Sequence, residues 1–217
     1  MTSRTSSFGR RGRIWAVLVA VTLLPVTACT GGGTTPGATA APATSSPATS
    51  PTPTATPTPT ASYKPADASG RAQNVPVPVL QEAAKAETKE GLEAFARYWF
   101  AQLNFAYETG NSSGMESVTA PSCEFCSKIT NSLAANYAND RWLAGGRIET
   151  PSISTTFESD ASGQYQVVVQ VQQGTITYFA PGGTEFREPT PPSDTGNVML
   201  VTYMTGAWQL AGLHPIR

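Results

Sequence analysis

Residues 30 to 62 contain only Thr, Gly, Pro, Ala and Ser. No charged, aromatic or large aliphatic side chain interrupts them. Such a stretch cannot bury enough apolar surface to offset the entropy of ordering it. It therefore confines any packed core to the residues that follow. Prolines 36, 42, 47, 51, 53, 57 and 59 favour extended conformations and stiffen the segment. At ~3.1 Å per residue the fully extended reach is on the order of 100 Å. The expectation is a disordered spacer over 29–75, followed by one domain over 76–217. Ser and Thr interspersed with Pro also suit an O-glycosylated stalk.

The residues before the spacer read as an export signal over 1–28. Arg4, Arg10, Arg11 and Arg13 precede an apolar run from Ile14 to Ala28, with no acid among them. Only 15 residues separate Arg13 from Cys29, and Pro25 interrupts their last turn. A spanning helix needs about 20 apolar residues, so the run is too short to be one. If the signal leaves, the 14 Lys+Arg of the whole chain lose four and become 10, against 15 Asp+Glu. That mildly acidic balance provides no basic footprint for nucleic acid.

The run ends in Val26-Thr27-Ala28-Cys29, which resembles the lipobox of bacterial lipoproteins. The resemblance implies cleavage between Ala28 and Cys29 and a diacylglycerol on the Cys29 sulfur. Two acyl chains give durable anchoring, where one gives marginal binding. An export signal cut elsewhere is the alternative, and it would leave Cys29 a free thiol. With Cys29 lipidated, Cys123 and Cys126 remain as an even pair. The implied location is the outer face of the cytoplasmic membrane.

In the remaining residues two periodicities follow one another. From Thr88 to Glu108 the apolar residues Leu92, Phe95, Ala96, Trp99, Phe100, Leu103 and Ala106 recur at three- and four-residue spacing. This is the stripe of an amphipathic helix. Thr88 is its capping residue and Gly110 its stop. Gln81 to Glu87 is also compatible with a helical turn. A second helix is expected from Ser122 towards Asn139, with Ile129, Leu133, Ala134 and Tyr137 on its apolar face. Gly145-Gly146 breaks that pattern. The period then becomes two: loosely over 147–158, strongly over 164–172, and again over 175–180. Residues 181–195, rich in Pro, Gly and charge, read as a loop. Residues 197–204 and 207–213 flank Thr205-Gly206 as a hairpin. Helices followed by an antiparallel meander make an α+β domain, with helices packed on a curved antiparallel sheet.

The helix GLEAFARYWFAQLNFAYETG, the second helix and the terminal strand pair with Trp208 resemble the cone-shaped nuclear transport factor 2-like superfamily. The lipobox, the Thr/Pro-rich spacer, the TKEG…AF…YW helix and the CxxC pair are also similar to a family of actinobacterial lipoproteins of unknown function. Neither resemblance implies a particular reaction.

Cys123-Glu124-Phe125-Cys126 is the one compact reactive constellation. Three readings stand: a structural disulfide in an oxidising compartment, a redox pair at a helix start, and a metal site. The redox reading lacks a βαβ neighbourhood, and the metal reading lacks ligands. The domain holds a single histidine, His214, and no GxSxG elbow is present. Glu93, Glu108, Asp140 and Glu149 are the carboxylates considered for acid–base work, and nothing in the sequence pairs them. No catalytic residue, metal or cofactor is assigned. In a cone-shaped fold Tyr98, Trp99, Asn104, Tyr107, Tyr137 and Trp142 become candidates to line an apolar cavity. The leading expectation is a non-catalytic binding or accessory module of the cell envelope, contacting a small molecule or an envelope protein. The alternatives are a small-molecule enzyme using such a cavity and a thiol–disulfide factor.

Overall fold

A computed structural model describes residues 61–216. The export signal, Ala28, Cys29 and the spacer up to residue 60 lie outside the described residues.

Thr88 starts the first helix, α1 (Lys89–Thr109), by accepting the Gly91 N–H on its hydroxyl at 3.0 Å. Gly110 ends it in the left-handed conformation, at φ 78°, where its N–H reaches Ala106 O. A 3-10 turn, Glu82–Lys85, precedes it. A single turn, α2 (Ser113–Glu116), and the helix α3 (Glu124–Tyr137) follow. Asn139 and Asp140, both at positive φ, turn the chain out of α3.

Eight strands complete the domain: β1 (Trp142–Gly145), β2 (Ile148–Glu149), β3 (Ile153–Ser154), β4 (Gln164–Gln173), β5 (Ile176–Ala180), β6 (Thr184–Thr190), β7 (Ser193–Met204) and β8 (Ala207–Pro215). Their ladders are antiparallel. They divide into two sheets where the sequence suggests one. One runs β1-β5-β6, and the other runs β2-β4-β7-β8 with β3 also on β4. The class is α+β, with helices packed on antiparallel sheets.

The strong alternation over 164–172 becomes β4, with Val167 and Val169 fully buried and Val168 exposed. Met199 and Val201 continue that inner face on β7, and Leu210 on β8. α1 lies across this face with Leu92, Phe95, Ala96, Trp99 and Ala106 buried. Thr205 and Gly206, at φ 52° and 81°, make the expected two-residue hairpin, with Met204 opposite Ala207. Trp208 packs against Tyr203, Tyr165 and Phe157, and its indole N–H donates to Ala86 O at 3.0 Å.

Two segments depart from the sequence reading. Residues 181–195 are not a loop: β6 and the start of β7 lie there. β6 is an edge strand, exposed along most of its length. An edge strand tolerates Pro189 and needs no apolar face, so it leaves no alternation to read. Residues 61–75, assigned to the spacer by composition, fold onto the domain. Lys64 and Gln73 exchange both backbone hydrogen bonds, at 3.0 and 2.9 Å. The Trp142 indole N–H donates to Asp67 O at 2.8 Å, and the Tyr63 hydroxyl to Glu108 Oε2 at 2.8 Å.

Candidate functional site

Most of the six side chains suggested as a cavity lining have partners of their own. Trp99 is fully buried, donates its indole N–H to Thr119 Oγ1 at 2.8 Å, and meets Phe100 edge to face. The Tyr98 hydroxyl accepts from Gln102 Nε2 at 2.8 Å. Gln102 itself is buried and also donates to Pro78 O. Asn104 clamps the backbone of Ile148, accepting its N–H at 2.7 Å and donating to its carbonyl at 2.8 Å. Trp142 stacks on Phe179. Tyr107 and Tyr137 meet directly, the Tyr137 hydroxyl donating to Tyr107 O at 2.6 Å. Asn104 borders a surface hollow of about 350 Å3 with Tyr63, Pro76, Pro78, Phe105 and Glu108.

Burial is the largest influence on the Tyr137 hydroxyl, whose pKa is pushed up from 10.0 to about 12. The Leu143 backbone and the Arg71 charge pull the other way. Burial also raises Tyr107. Below pH 10 these tyrosines keep their protons in both the folded and the unfolded chain. Above it the unfolded chain loses them first. Stability should therefore hold up to about pH 9 and fall through pH 12, by at most about 1.4 kcal/mol per unit for Tyr137. Urea titrations at stepped pH measure the slope, and Tyr137→Phe should flatten it. An unchanged slope in that variant counts against the assignment.

Cys123 and Cys126 are bonded to each other, Cα atoms 5.3 Å apart, and both residues are buried. Cys123 is the capping residue of α3, its sulfur accepting the Cys126 N–H at 3.3 Å. Closing so short a loop contributes about 2 kcal/mol in the chain-entropy model. The Cys123→Ser, Cys126→Ser double variant should lose about that much stability, because serine still caps the helix. Chemical denaturation with and without reductant measures it: reductant should destabilise the parent and leave the variant unaffected.

The carboxylates stand apart. Glu108 accepts from Tyr63, Asp140 lies 3.8 Å from Arg71, and Glu149 lies 3.7 Å from Arg147. Among the described residues no three His, Cys, Asp or Glu side chains are placed to hold a metal ion.

Two open hollows were not evident from the sequence. The larger, about 550 Å3, includes Arg147, Glu149, Gln172, Gln173, Ser193 and Asp194. Amide donors from Gln170 and Gln172 hold the Asp194 carboxyl below its usual range. The second, about 400 Å3, lies between the start of α3 and the end of β8. It takes in Cys123, Glu124, Phe125, Lys128, Leu200 and His214. Its one sequence signal is Phe125, a large apolar residue between two cysteines that remains 38% exposed.

Solved structures with similar backbones are distant in sequence. The intermembrane space region of the chloroplast protein ARC6 aligns at 10% identity with a TM-score of 0.44, over 59% of this chain and 96% of that one. A cystatin-like domain of unknown function from Nostoc punctiforme aligns at 17% identity and 0.39, over 60% and 79%. An uncharacterized protein with a cystatin-like fold from Caulobacter vibrioides aligns at 14% and 0.35, over 56% and 87%. Likeness of this degree carries no statement about activity. None of the curated proteins matches the chain. Residues 61–214 match the model of the family of unknown function DUF6318, and the chain belongs to that family.

Proposed function

We propose that this chain is a lipid-anchored protein of the outer face of the cytoplasmic membrane, and that its folded head is a non-catalytic binding or accessory module. One structural observation carries the reading. The chain has three cysteines, and two of them are bonded to each other. A disulfide persists in an oxidising exterior and is rare in a reduced cytosol. The third cysteine, Cys29, is the one that follows the leader and the Val-Thr-Ala sequence. Lipidation gives it a chemical role and accounts for an otherwise odd thiol. The binding part of the reading is supported by the use of the interior. The aromatic and amide groups suited to a reaction cavity instead join α1 to Thr119 and to β2, and β1 to the 61–75 segment. The hollows that remain are open surface features.

Metabolic labelling with palmitate in cells producing the full chain tests the anchor. Label should enter the parent and be absent from Cys29→Ser, and the unlabelled variant should leave the membrane fraction. A Cys29→Ser chain that stays in membranes sinks the proposal.

A further inference from the structure

β8 is the last strand of its sheet, and its outer edge has two different halves. Along the first half the chain covers its own edge. Ala120 N–H donates to Leu210 O at 2.7 Å, and Leu210 N–H donates to Val118 O at 2.9 Å. Residues 118–120 thus leave their turn and meet β8 in one parallel bridge, between Thr119 and Leu210. The pairing ends where Pro121, with no N–H to give, leads into α3.

Past Leu210 the edge continues without a neighbouring strand. Ile216 N–H donates to Gly196 O at 2.8 Å, which sets the phase of the ladder. Antiparallel bonds engage alternate residues, so His214 bonds to its partner Val198, while Leu213 and Pro215 direct their backbone groups outward. Leu213 therefore presents an N–H and a carbonyl, and Pro215 a carbonyl alone. The 400 Å3 hollow runs along this stretch, with Ala211 to Pro215 on one side and Ser122 to Phe125 with Lys128, around the start of α3, on the other. Its surface combines the exposed Phe125 ring, Leu200 and Ala211 with two cationic or donor groups, Lys128 and His214. Among the described residues Lys128 has no carboxylate within ion-pair distance. Glu124 adds one acceptor.

We infer that the groove between β8 and α3 docks an extended peptide segment of a partner protein, which pairs with Ala211–Pro215 and continues along the edge past the bridge at Thr119. The inference rests on the reading of the head as a binding module, and it names the surface and the class of partner. The occupant follows from what already lies on the edge: the first half takes the main chain around Thr119 through two backbone bonds, and the second half offers backbone groups of the same kind beside a walled groove. Strand addition obtains its affinity from the main chain and its selectivity from pockets for alternate side chains. Here the pocket suits an apolar residue, with an acidic residue two positions on placed towards Lys128 and His214.

The test uses the full chain, 15N-labelled and purified in detergent, with four probes of the form acetyl-Thr-X-Thr-Asp-Thr-amide, X being Val, Leu, Phe or Ala. At least one of the first three should shift amides of Ala211–His214 and Ser122–Lys128, and should bind more tightly than the Ala form. At saturation the Leu213 amide should exchange with solvent at least tenfold more slowly. Lys128→Glu should weaken binding at least threefold; Lys128 is exposed on α3, so the fold does not depend on it. The best probe, N-methylated at its two central amides, should not bind. Three results overturn the inference: no shifts or shifts elsewhere, equal binding of the N-methylated probe, and probe-free dimerisation that already occupies these amides. Palmitate labelling decides the anchor separately. Failed peptide binding with normal labelling removes the groove alone, and failed labelling with peptide binding intact removes the anchor alone.

Discussion

Replacing Trp99 by alanine should lower the unfolding free energy of the head by about 3–5 kcal/mol, the cost of removing a large side chain from a packed core. Trp99 is completely buried at the middle of α1, in the core where that helix meets β3 and β4. Its loss leaves a void lined by Phe100 and the buried aliphatic residues, and it removes the hydrogen bond to Thr119. That bond holds the 118–120 segment, so the edge of β8 loosens along with the core. For a domain of this size the midpoint of thermal unfolding should fall by about 10 °C or more. Trp99→Phe keeps most of the apolar volume and loses the indole N–H. Because Thr119 Oγ1 still donates to Met115 O, that variant should lose only about 1 kcal/mol. Far-UV circular dichroism in urea measures both. Equal losses in the two variants would show that the hydrogen bond, and not the packing, dominates.

Gly91→Ala should destabilise the protein, although helix propensity taken alone predicts the reverse. Gly91 sits in the first turn of α1, where alanine is usually worth up to about 1 kcal/mol more than glycine. In the folded head a methyl group there meets the carbonyl oxygens of Ala86 and Ala83 well inside van der Waals contact. These are backbone atoms, so no side chain can swing away. The Ala86 carbonyl also accepts the Trp208 indole N–H and the Thr88 N–H. Displacing it therefore disturbs the joint between the 3-10 turn, α1 and β8. Overpacking of this kind costs about 1–3 kcal/mol. A synthetic peptide of residues 88–110 carrying the same change should become more helical, since Ala83, Ala86 and β8 are missing from it. A protein stabilised by Gly91→Ala would refute this account of the joint.

The joint shows why part of the architecture is not legible in the sequence. The stripe of α1 and the alternation of β4 are, because each residue repeats one decision: face the core or face solvent. α1 was expected from Thr88 to Glu108 and spans Lys89–Thr109. The hairpin at Thr205-Gly206 was legible for a different reason, since a two-residue gap holding a glycine between two alternating apolar runs marks a tight turn. β6 and the 61–75 segment carry neither signal. Their strand and turn structure comes from hydrogen bonds to β5 and from the indole of Trp142, partners distant in the chain. The suggested cavity fared similarly. Composition marks Trp99, Asn104 and Tyr137 as groups able to line a pocket, but only the fold shows each already bonded to Thr119, Ile148 and Tyr107. The groove beside β8 had almost no signal, because it is made of backbone groups left without a partner.

Local chemistry alone therefore settled the α+β class, the two caps of α1, the strongest strand and the hairpin turn, because each depends on a side-chain period or a backbone preference carried by neighbouring residues; the second helix, expected from Ser122 towards Asn139, spans Glu124–Tyr137 with Cys123 as its cap. The folded structure decided the division into two sheets, the reach of the head back to residue 61, the closeness of Gly91 to Ala86 and the open half of β8. Those features arise between segments far apart in the chain. No window of sequence contains both partners, and backbone hydrogen bonds look the same whatever residue supplies them.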